Sequence, residues 1–190
     1  MKTLKEIFDI HKGIPKTFID GIPAEWGGDK GSAHSYIETY EQLFESIRNE
    51  EFSLLEIGVL YGSSLKMWKD YFINAHIHGM DVLESCIKYE EDRIEIKIAD
   101  STNEDSVNEN YNGMKFDIII DDGHHDFDMQ QKTFKTMFKY LSNGGIYIIE
   151  DVQNIDKDRE EIISFYDKVE IIDLRYVKHK YDDVLVLIRK

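Results

Sequence analysis

Apolar positions along the chain switch repeatedly between the spacing of a helix and the spacing of a strand. After Ser35, apolar and aromatic residues recur every three or four positions, which predicts an amphipathic helix. The members of this face are Tyr36, Ile37, Tyr40, Leu43, Phe44 and Ile47. Ser35 and Glu38 have the spacing of a capping box at the start of that helix. The run FSLLEIG that follows ends in glycine and predicts a short buried strand.

The same alternation continues to the end of the sequence. Further helices are predicted over SLKMWKDYF, NEDSVNEN, residues 126–141 and residues 158–167. Further strands are predicted over AHIHGMD, RIEIKIAD, FDIIID, GGIYIIED, VEIIDL and VLVLIR. Because helices separate all but the last two strands, the order predicts an α/β fold. We expect a Rossmann-like, doubly wound, mostly parallel sheet with helices on both faces and a terminal antiparallel strand.

The first 34 residues follow neither spacing. The stretch GIPKTFIDGIPAEWGGDKGSAH contains both prolines and several glycines, which is typical of a loop. A chain of 190 residues is long enough for one domain with a single core. We therefore expect a loop or lid over residues 1–34 and one folded domain over residues 35–190.

Composition limits the possible partners. The 38 acidic residues exceed the 23 lysines and arginines, giving a formal charge of −15, which disfavours nucleic acids and anionic membranes. The single cysteine, Cys86, cannot form an internal disulfide, and this fits a reducing compartment. No apolar run has membrane-spanning length, and residues 1–9 are too polar for a signal peptide. The expectation is a cytoplasmic protein that neither binds nucleic acid nor inserts into a membrane.

A glycine-containing turn follows the first buried strand. The stretch LLEIGVLYGSS places Glu56, Gly58, Gly62 and Ser64 between a strand and a helix. Glycine allows close approach of a ligand to the backbone, and the helix N-terminus offers free amides. The spacing lacks the G-x-G-x-x-G pattern and the P-loop lysine, which disfavours nicotinamide and nucleoside triphosphate ligands. Taken alone, the turn is equally consistent with a tight reversal of the chain.

Two acids at the ends of the next strands favour a ligand at this edge of the sheet. Asp81 ends the second strand of the predicted sheet, and an acid there commonly accepts hydrogen bonds from ribose hydroxyls. Asp100 ends the third strand, where it could accept from an adenine amino group. Each acid alone could cap the following helix. Glu56, Asp81 and Asp100 together, at the ends of three consecutive strands, favour one nucleoside-shaped ligand.

Carboxylates also cluster at the ends of two later strands. FDIIIDDG ends in Asp121 and Asp122, and GGIYIIED ends in Glu150 and Asp151. One helix connects the two strands, so they are expected to lie parallel as neighbours about 4.8 Å apart. Carboxylates that converge repel each other unless a cation lies among them. Oxygen ligands suit Mg²⁺ or Ca²⁺, with Mn²⁺ as another possibility. The alternative is that these acids are helix caps or exposed turn residues.

Two histidines follow this acidic pair. His125 lies three residues beyond Asp122, across Gly123, and a neutral imidazole beside a metal site is a suitable general base. The alternative for His125 is a solvent-facing residue at the start of a helix. His124 has no assigned role and is expected either behind the site or on the surface.

Four segments together resemble a known family. GGDKGSAHSYIETYEQLF, LLEIGVLYGSSLKMW, DDGHH with QQ, and GGIYIIED are similar to segments of class I methyltransferases that use S-adenosylmethionine. More specifically, they resemble the macrolide-sugar O-methyltransferases of the mycinamicin and tylosin pathways and related bacterial glycan methyltransferases. The resemblance covers residues 28–151. His124 replaces the serine usual in that family, and the long N-terminal domain of the antibiotic enzymes has no counterpart in this sequence.

The resemblance implies a role for each residue that matches a family motif. The glycine turn would take the methionine end of S-adenosylmethionine, Asp81 the ribose and Asp100 the adenine. The implied cofactor-binding residues are Lys30, His34, Glu56, Gly58, Gly62, Ser63, Ser64, Asp81, Asp100, Ser101 and Asp121. Lys30 and His34 could instead close the site, and on the sequence alone they are equally consistent with polar loop residues. The implied magnesium ligands are Asp122, Glu150 and Asp151, and His125 is the implied base.

The sequence therefore predicts an S-adenosylmethionine- and Mg²⁺-dependent O-methyltransferase. The expected acceptor is a hydroxyl of a small-molecule sugar or glycan precursor, and a homo-oligomer is possible. Two alternatives stay open. One is a methyltransferase for a phenol, an amine or a phosphoramidate-like group. The other is a non-catalytic cofactor-binding partner in a glycan-modifying assembly.

Overall fold

The computed structural model describes residues 1–13, 18–19, 22–23, 28–165 and 168–190. The helices are α1 (Leu4–His11), α2 (Tyr36–Phe44), α3 (Ser63–Tyr71), α4 (Glu104–Tyr111), α5 (Phe127–Met137), α6 (Ile155–Phe165) and α7 (Arg175–Lys178). Short 3-10 segments cover Glu45–Ile47, Glu84–Tyr89 and Phe138–Tyr140. The strands are β1 (Phe18–Ile19), β2 (Ile22–Pro23), β3 (Ser53–Ile57), β4 (His76–Asp81), β5 (Ile94–Ile98), β6 (Phe116–Asp121), β7 (Leu141–Ile149), β8 (Val169–Asp173) and β9 (Val184–Arg189).

Seven of these strands form one mixed sheet. Their order is β5-β4-β3-β6-β7-β9-β8, while β1 and β2 pair separately as a two-stranded antiparallel ribbon. Strands β3 to β7 pair in parallel, and β9 is antiparallel to both of its neighbours, β7 and β8. This arrangement confirms the predicted α/β fold with a mostly parallel sheet and a terminal antiparallel strand.

Alternate residues of the central strands point to opposite faces of the sheet, which places a core on each face. On one face, Leu54 and Ile118 pack with side chains of α1, α2 and α3. On the other face, Leu55 and Ile119 pack with side chains of α4, α5 and α6. The carboxyl ends of β3 to β7 consequently meet at one edge, between the two helical layers.

The N-terminal helix α1 was not predicted. Thr3 caps it with a capping box, in which the Thr3 side chain accepts from the Glu6 amide and the Glu6 carboxylate accepts from the Thr3 amide. Leu4, Ile7 and Phe8 are buried against α2 and α3, so this part of residues 1–34 is helical and contributes to the core. Residues 14–17, 20–21 and 24–27 of the predicted lid lie outside the described residues. The lid and the domain boundary after residue 34 therefore stay predictions.

Some local predictions were wrong. Ser35 makes no capping hydrogen bond through its side chain; instead its amide donates to Oδ1 of Asp183 at 2.9 Å. The helix predicted over residues 126–141 ends earlier, since α5 stops at Met137 and Leu141 already begins β7. Helix α6 begins at Ile155, ahead of the predicted start, and Asp167 lies outside the described residues. Within the described part of the chain, no helix combines the length and apolar character needed to cross a membrane.

Candidate active site

A cleft of about 890 Å³ lies at the edge where β3, β4, β5 and β6 end. It is lined by ten of the residues singled out in the sequence: Lys30, Gly58, Ser64, Asp81, Asp100, Ser101, Asp122, His124, His125 and Asp151. Six other predicted site residues do not line it: His34, Glu56, Gly62, Ser63, Asp121 and Glu150. The strand order therefore brings the two predicted groups, the glycine turn with its acids and the DDGHH motif, to one cavity.

The glycine turn passes directly against the chain leaving β6. Gly58 has φ +93°, and a Cβ built on it would lie 2.2 Å from the carbonyl oxygen of Asp122. Two backbone hydrogen bonds fix this approach: the Gly58 amide donates to Met80 at 2.8 Å, and the Asp122 amide donates to Ile57 at 2.9 Å. Glycine is required at position 58 for both its conformation and its contact distance.

Asp81 holds the glycine turn in place from the neighbouring strand. Its Oδ2 accepts from the amides of Val59 at 2.8 Å and Leu60 at 3.0 Å, and its Oδ1 accepts from the Leu83 amide at 2.9 Å. Asp100 behaves similarly in its own turn, where Oδ1 accepts from the amide and the hydroxyl of Thr102. Both acids thus satisfy local backbone donors and line the cleft at the same time.

Lys30 lies among three carboxylates at the base of the cleft. Its Nζ is 3.0 Å from Oε1 of Glu56, 2.7 Å from Oδ2 of Asp122 and 2.8 Å from both carboxylate oxygens of Glu150. Lys30, Glu56 and Glu150 are each at most 3 % exposed. Burial alone would lower the pKa of Lys30, but the surrounding negative charges outweigh it and hold that pKa well above its usual value. Burial, opposed by Lys30, raises the pKa of Glu56 and of Glu150.

Aromatic side chains of α2 and α3 donate further hydrogen bonds to acids of the site. Trp68 Nε1 donates to Oε2 of Glu56 at 3.0 Å, and the Tyr40 hydroxyl donates to Oε1 of Glu150 at 2.5 Å. The Tyr36 hydroxyl donates to Oδ1 of Asp151 at 2.7 Å. Helical spacing had assigned Tyr36 and Tyr40 only to an apolar face. The sequence contains one sign that these residues donate to the site: both aromatic side chains carry a hydroxyl, and they lie four residues apart on the same helix face.

Asp122, His125 and Asp151 form a compact group in the lining of the cleft. One carboxylate oxygen from each acid and one imidazole nitrogen all lie within 4.8 Å of one another. His125 Nδ1 is 3.6 Å from Oδ2 of Asp151 and, although buried, makes no hydrogen bond. Burial and the nearby charge of Asp122 raise the pKa of Asp151 to about 8. Two carboxylates and an imidazole are a suitable donor set for a divalent cation.

Glu150 and Asp121 lie outside this group. Both oxygens of Glu150 accept from Lys30, and its backbone carbonyl accepts from Gln130 at 2.9 Å. Asp121 accepts a hydrogen bond from the Tyr147 hydroxyl at 3.1 Å, and burial raises its pKa to about 7.

The cleft also has lining residues that were not predicted. Asp29 comes from the segment before α2, Gln153 follows the strand end of β7, and Lys180, Tyr181 and Asp182 come from the turn between α7 and β9. That turn reads in the sequence as an ordinary polar connection, KHKYDD. Its place beside the cleft depends on β9 pairing with β7, which no local pattern encodes.

A scan against protein-family models finds no match. Curated proteins with similar sequences include two O-methyltransferases of Streptomyces. The 8-demethyl-8-alpha-L-rhamnosyl tetracenomycin-C 2'-O-methyltransferase of Streptomyces olivaceus is 33 % identical over 141 residues, covering 70 % of this chain and 37 % of that protein. The demethylmacrocin O-methyltransferase of Streptomyces fradiae is 36 % identical over 132 residues, covering 64 % of this chain and 33 % of that protein. The chain thus spans about a third of the length of the curated relatives it matches.

A solved structure agrees over the whole chain. The MycE methyltransferase of the mycinamycin biosynthetic pathway, in complex with Mg, SAH and mycinamycin VI, superposes with a TM-score of 0.74 at 21 % identity. The alignment covers 100 % of this chain and 54 % of MycE. The seven-stranded sheet, with its single antiparallel strand next to the last position, is the class I methyltransferase fold. Within that class, the chain resembles the macrolide-sugar O-methyltransferases.

Proposed function

We propose that the chain transfers a methyl group from S-adenosylmethionine to a sugar hydroxyl, with a bound divalent cation and with His125 as the base. The observation that carries this proposal is the group formed by Asp122, His125 and Asp151 beside the Gly58 turn in one cleft. The sequence similarity to enzymes named as O-methyltransferases of glycosylated secondary metabolites supports the acceptor class.

The cleft fits the cofactor. Its volume of about 890 Å³ is within the roughly 300–1,000 Å³ typical of ligand sites. Gly58 lines the cleft, and its positive φ and close packing on Asp122 give the turn a shape against which a ligand could lie. Asp81 and Asp100, which line the same cavity, would accept from ribose hydroxyls and from the adenine amino group. When bound, S-adenosylmethionine would supply an activated methyl group for in-line attack by an oxygen.

Asp122 and Asp151 would hold the cation. Each presents a carboxylate oxygen to the same small volume, and burial of Asp151 strengthens electrostatic interactions there. Bound Mg²⁺ would supply positive charge that lowers the pKa of the acceptor hydroxyl and orients it. Glu150, the third ligand implied by the family resemblance, would join only after Lys30 released its oxygens.

His125 would receive the acceptor proton. Its buried Nδ1 is turned toward Asp151, which leaves Nε2 as the nitrogen available on the other side of the ring. The side chain is 39 % exposed, so a substrate in the cleft can reach it. A hydrogen bond from Nδ1–H to Asp151, formed by closing the present 3.6 Å separation, would hold the imidazole in the orientation that a general base needs.

The test is methyl transfer from labelled S-adenosylmethionine to a panel of nucleotide sugars and glycosides, with Mg²⁺ or with EDTA. We expect transfer that depends on the cation. His125→Ala should lower kcat about 10²–10⁴-fold, as for loss of a general base, while cofactor binding by calorimetry stays near normal. His76→Ala, an exposed histidine at the opposite end of β4, is the matched control.

Other outcomes would contradict parts of the proposal. Turnover that is unaffected by EDTA would exclude the cation, and full activity of His125→Ala would exclude that base. Transfer to a phenol or an amine in preference to every sugar would change the acceptor class. Cofactor binding without transfer to any acceptor would indicate a non-catalytic partner.

A further inference from the structure

The segment from Asp29 to Ser35 is held by hydrogen bonds to the last residue of α7 and to the turn between α7 and β9. Lys178 Nζ donates to the carbonyl oxygen of Gly31 at 2.7 Å and also to that of His34, and the Ser35 amide donates to Asp183. These contacts accompany the close approach of His34 to Asp151, although the two residues are far apart in the sequence.

The buried imidazole of His34 connects a lysine with a carboxylate. His34 is 1 % exposed and stacks on Tyr36, with ring centroids 4.8 Å apart. Its Nε2 is in contact with the Lys180 ammonium. Its Nδ1 lies 3.2 Å from Oδ1 of Asp151 and 3.6 Å from Oδ1 of Asp183. It makes a hydrogen bond with neither oxygen.

The contact with Lys180 determines which nitrogen of His34 carries hydrogen. An ammonium group only donates, so Nε2 of His34 must accept. A neutral imidazole that accepts at Nε2 has its hydrogen on Nδ1, which is the nitrogen that faces Asp151. Oδ1 of Asp151 therefore accepts from the Tyr36 hydroxyl and lies 3.2 Å from the His34 Nδ1–H, while Oδ2 is the oxygen turned toward His125.

We propose that Lys180 is a positioning residue: it fixes the Nδ1–H tautomer of His34, and that tautomer orients Asp151 so that Oδ2 faces the cation site. The part that concerns the cation rests on the proposed function; the part that concerns the tautomer does not. Groups behind a metal ligand fix its rotation and tune its affinity in this way.

A second metal site is the competing interpretation. Asp29, His34 and Asp151 also offer ligand atoms within 4.8 Å of one another. However, a histidine ligates a metal through a nitrogen that carries no hydrogen. Nε2, the nitrogen 3.9 Å from Asp29, is in contact with the Lys180 ammonium, and Nδ1, which faces Asp151, is the protonated nitrogen. Neither nitrogen of His34 is then available as a metal ligand.

Two measurements on the full chain test the proposal. Long-range ¹H–¹⁵N NMR of the imidazoles, with His34 assigned by comparison with His34→Gln, reports the tautomer. Mn²⁺ binding followed by electron paramagnetic resonance reports the cation affinity without any turnover. We expect His34 to be in the Nδ1–H tautomer in the wild type and in Lys180→Arg. In Lys180→Met, His34 should no longer be held in that one tautomer. Mn²⁺ affinity should fall about tenfold in Lys180→Met.

Lys178→Met is the matched control, because Lys178 holds the same segment but contacts only its carbonyl oxygens. It should keep the tautomer and most of the Mn²⁺ affinity. Thermal melting of each variant verifies that it is folded. An Nε2–H tautomer in the wild type, an unchanged tautomer in Lys180→Met, or an equal effect of Lys178→Met would overturn the proposal. If the wild type binds no Mn²⁺, the cation part of the proposed function fails, while the NMR result still decides the role of Lys180.

Discussion

Lys30→Met removes the cation that lies between Glu56, Asp122 and Glu150 while keeping a side chain of similar length. Breaking a buried ion pair by removing one partner typically costs about 3–5 kcal/mol, because the other charge stays buried and uncompensated. Here both Glu56 and Glu150 lose the same ammonium and are almost fully buried, so we expect a loss of stability within that range at pH 8. For a chain of this size, this is a fall in Tm of roughly 6–20 °C.

The size of this loss should depend on pH. The folded pKa of Lys30 is above its unfolded value, so the stability it contributes is fully present at every pH below about 10. The folded pKa values of Glu56 and Glu150 are also raised, and removing Lys30 raises them further. A carboxyl whose pKa is raised by folding stabilises the folded state below its usual pKa of 4.5. This stabilisation is lost as pH rises through the folded pKa. We therefore expect Lys30→Met to be less destabilised at pH 5 than at pH 8.

Urea unfolding at several pH values measures this effect. Lys5→Met is the matched control, because Lys5 is half exposed and its pair with Asp9 should contribute less than about 1 kcal/mol. Lys30→Met combined with Glu150→Gln should recover part of the loss, since one buried charge is removed with its partner. The reasoning would be refuted if Lys30→Met cost no more than Lys5→Met, or if its cost did not change between pH 5 and pH 8.

Two further predictions concern the glycine turn and the cysteine. Gly58→Ala should abolish measurable S-adenosylhomocysteine binding by calorimetry and lower the Tm, because its Cβ would lie 2.2 Å from the Asp122 carbonyl oxygen; normal binding would contradict the geometry. Burial and the charge of Asp81 raise the pKa of Cys86 to about 12, so little thiolate exists at pH 8. Cys86 should then react with a disulfide reagent at least about a hundredfold more slowly in the native protein than in urea, and equal rates would contradict this.

The sequence predicted the parts of the site that follow from strand order. Helices alternating with apolar strands imply a parallel sheet, and the carboxyl ends of parallel strands meet at one edge. That single rule places Asp81, Asp100, Asp122 and Asp151 around one cleft without knowledge of any side-chain contact. It also explains why His125, close behind Asp122, lies at the same edge.

The contacts that the patterns missed are long-range ones. Lys30 pairs with acids 92 and 120 positions away, and neither partner can be deduced from its local sequence. Tyr36 and Tyr40 have the spacing of core residues, and only the folded chain shows that their hydroxyls reach Asp151 and Glu150. Lys180 is a polar residue in a turn until β9 brings it to His34.

The antiparallel strand β9 has a mechanical consequence. It pairs along its length with β7 on one side and β8 on the other, and the Lys190 amide donates to Gly145 just beyond it. A force applied at Arg189 along the strand would load both ladders together in shear, rather than peel one bond at a time. Because Arg189 pairs with Ile146 and Val186 with Ile149, such a tether leaves from the edge opposite the cleft. Immobilising the protein through this end should therefore leave the cleft facing the solution.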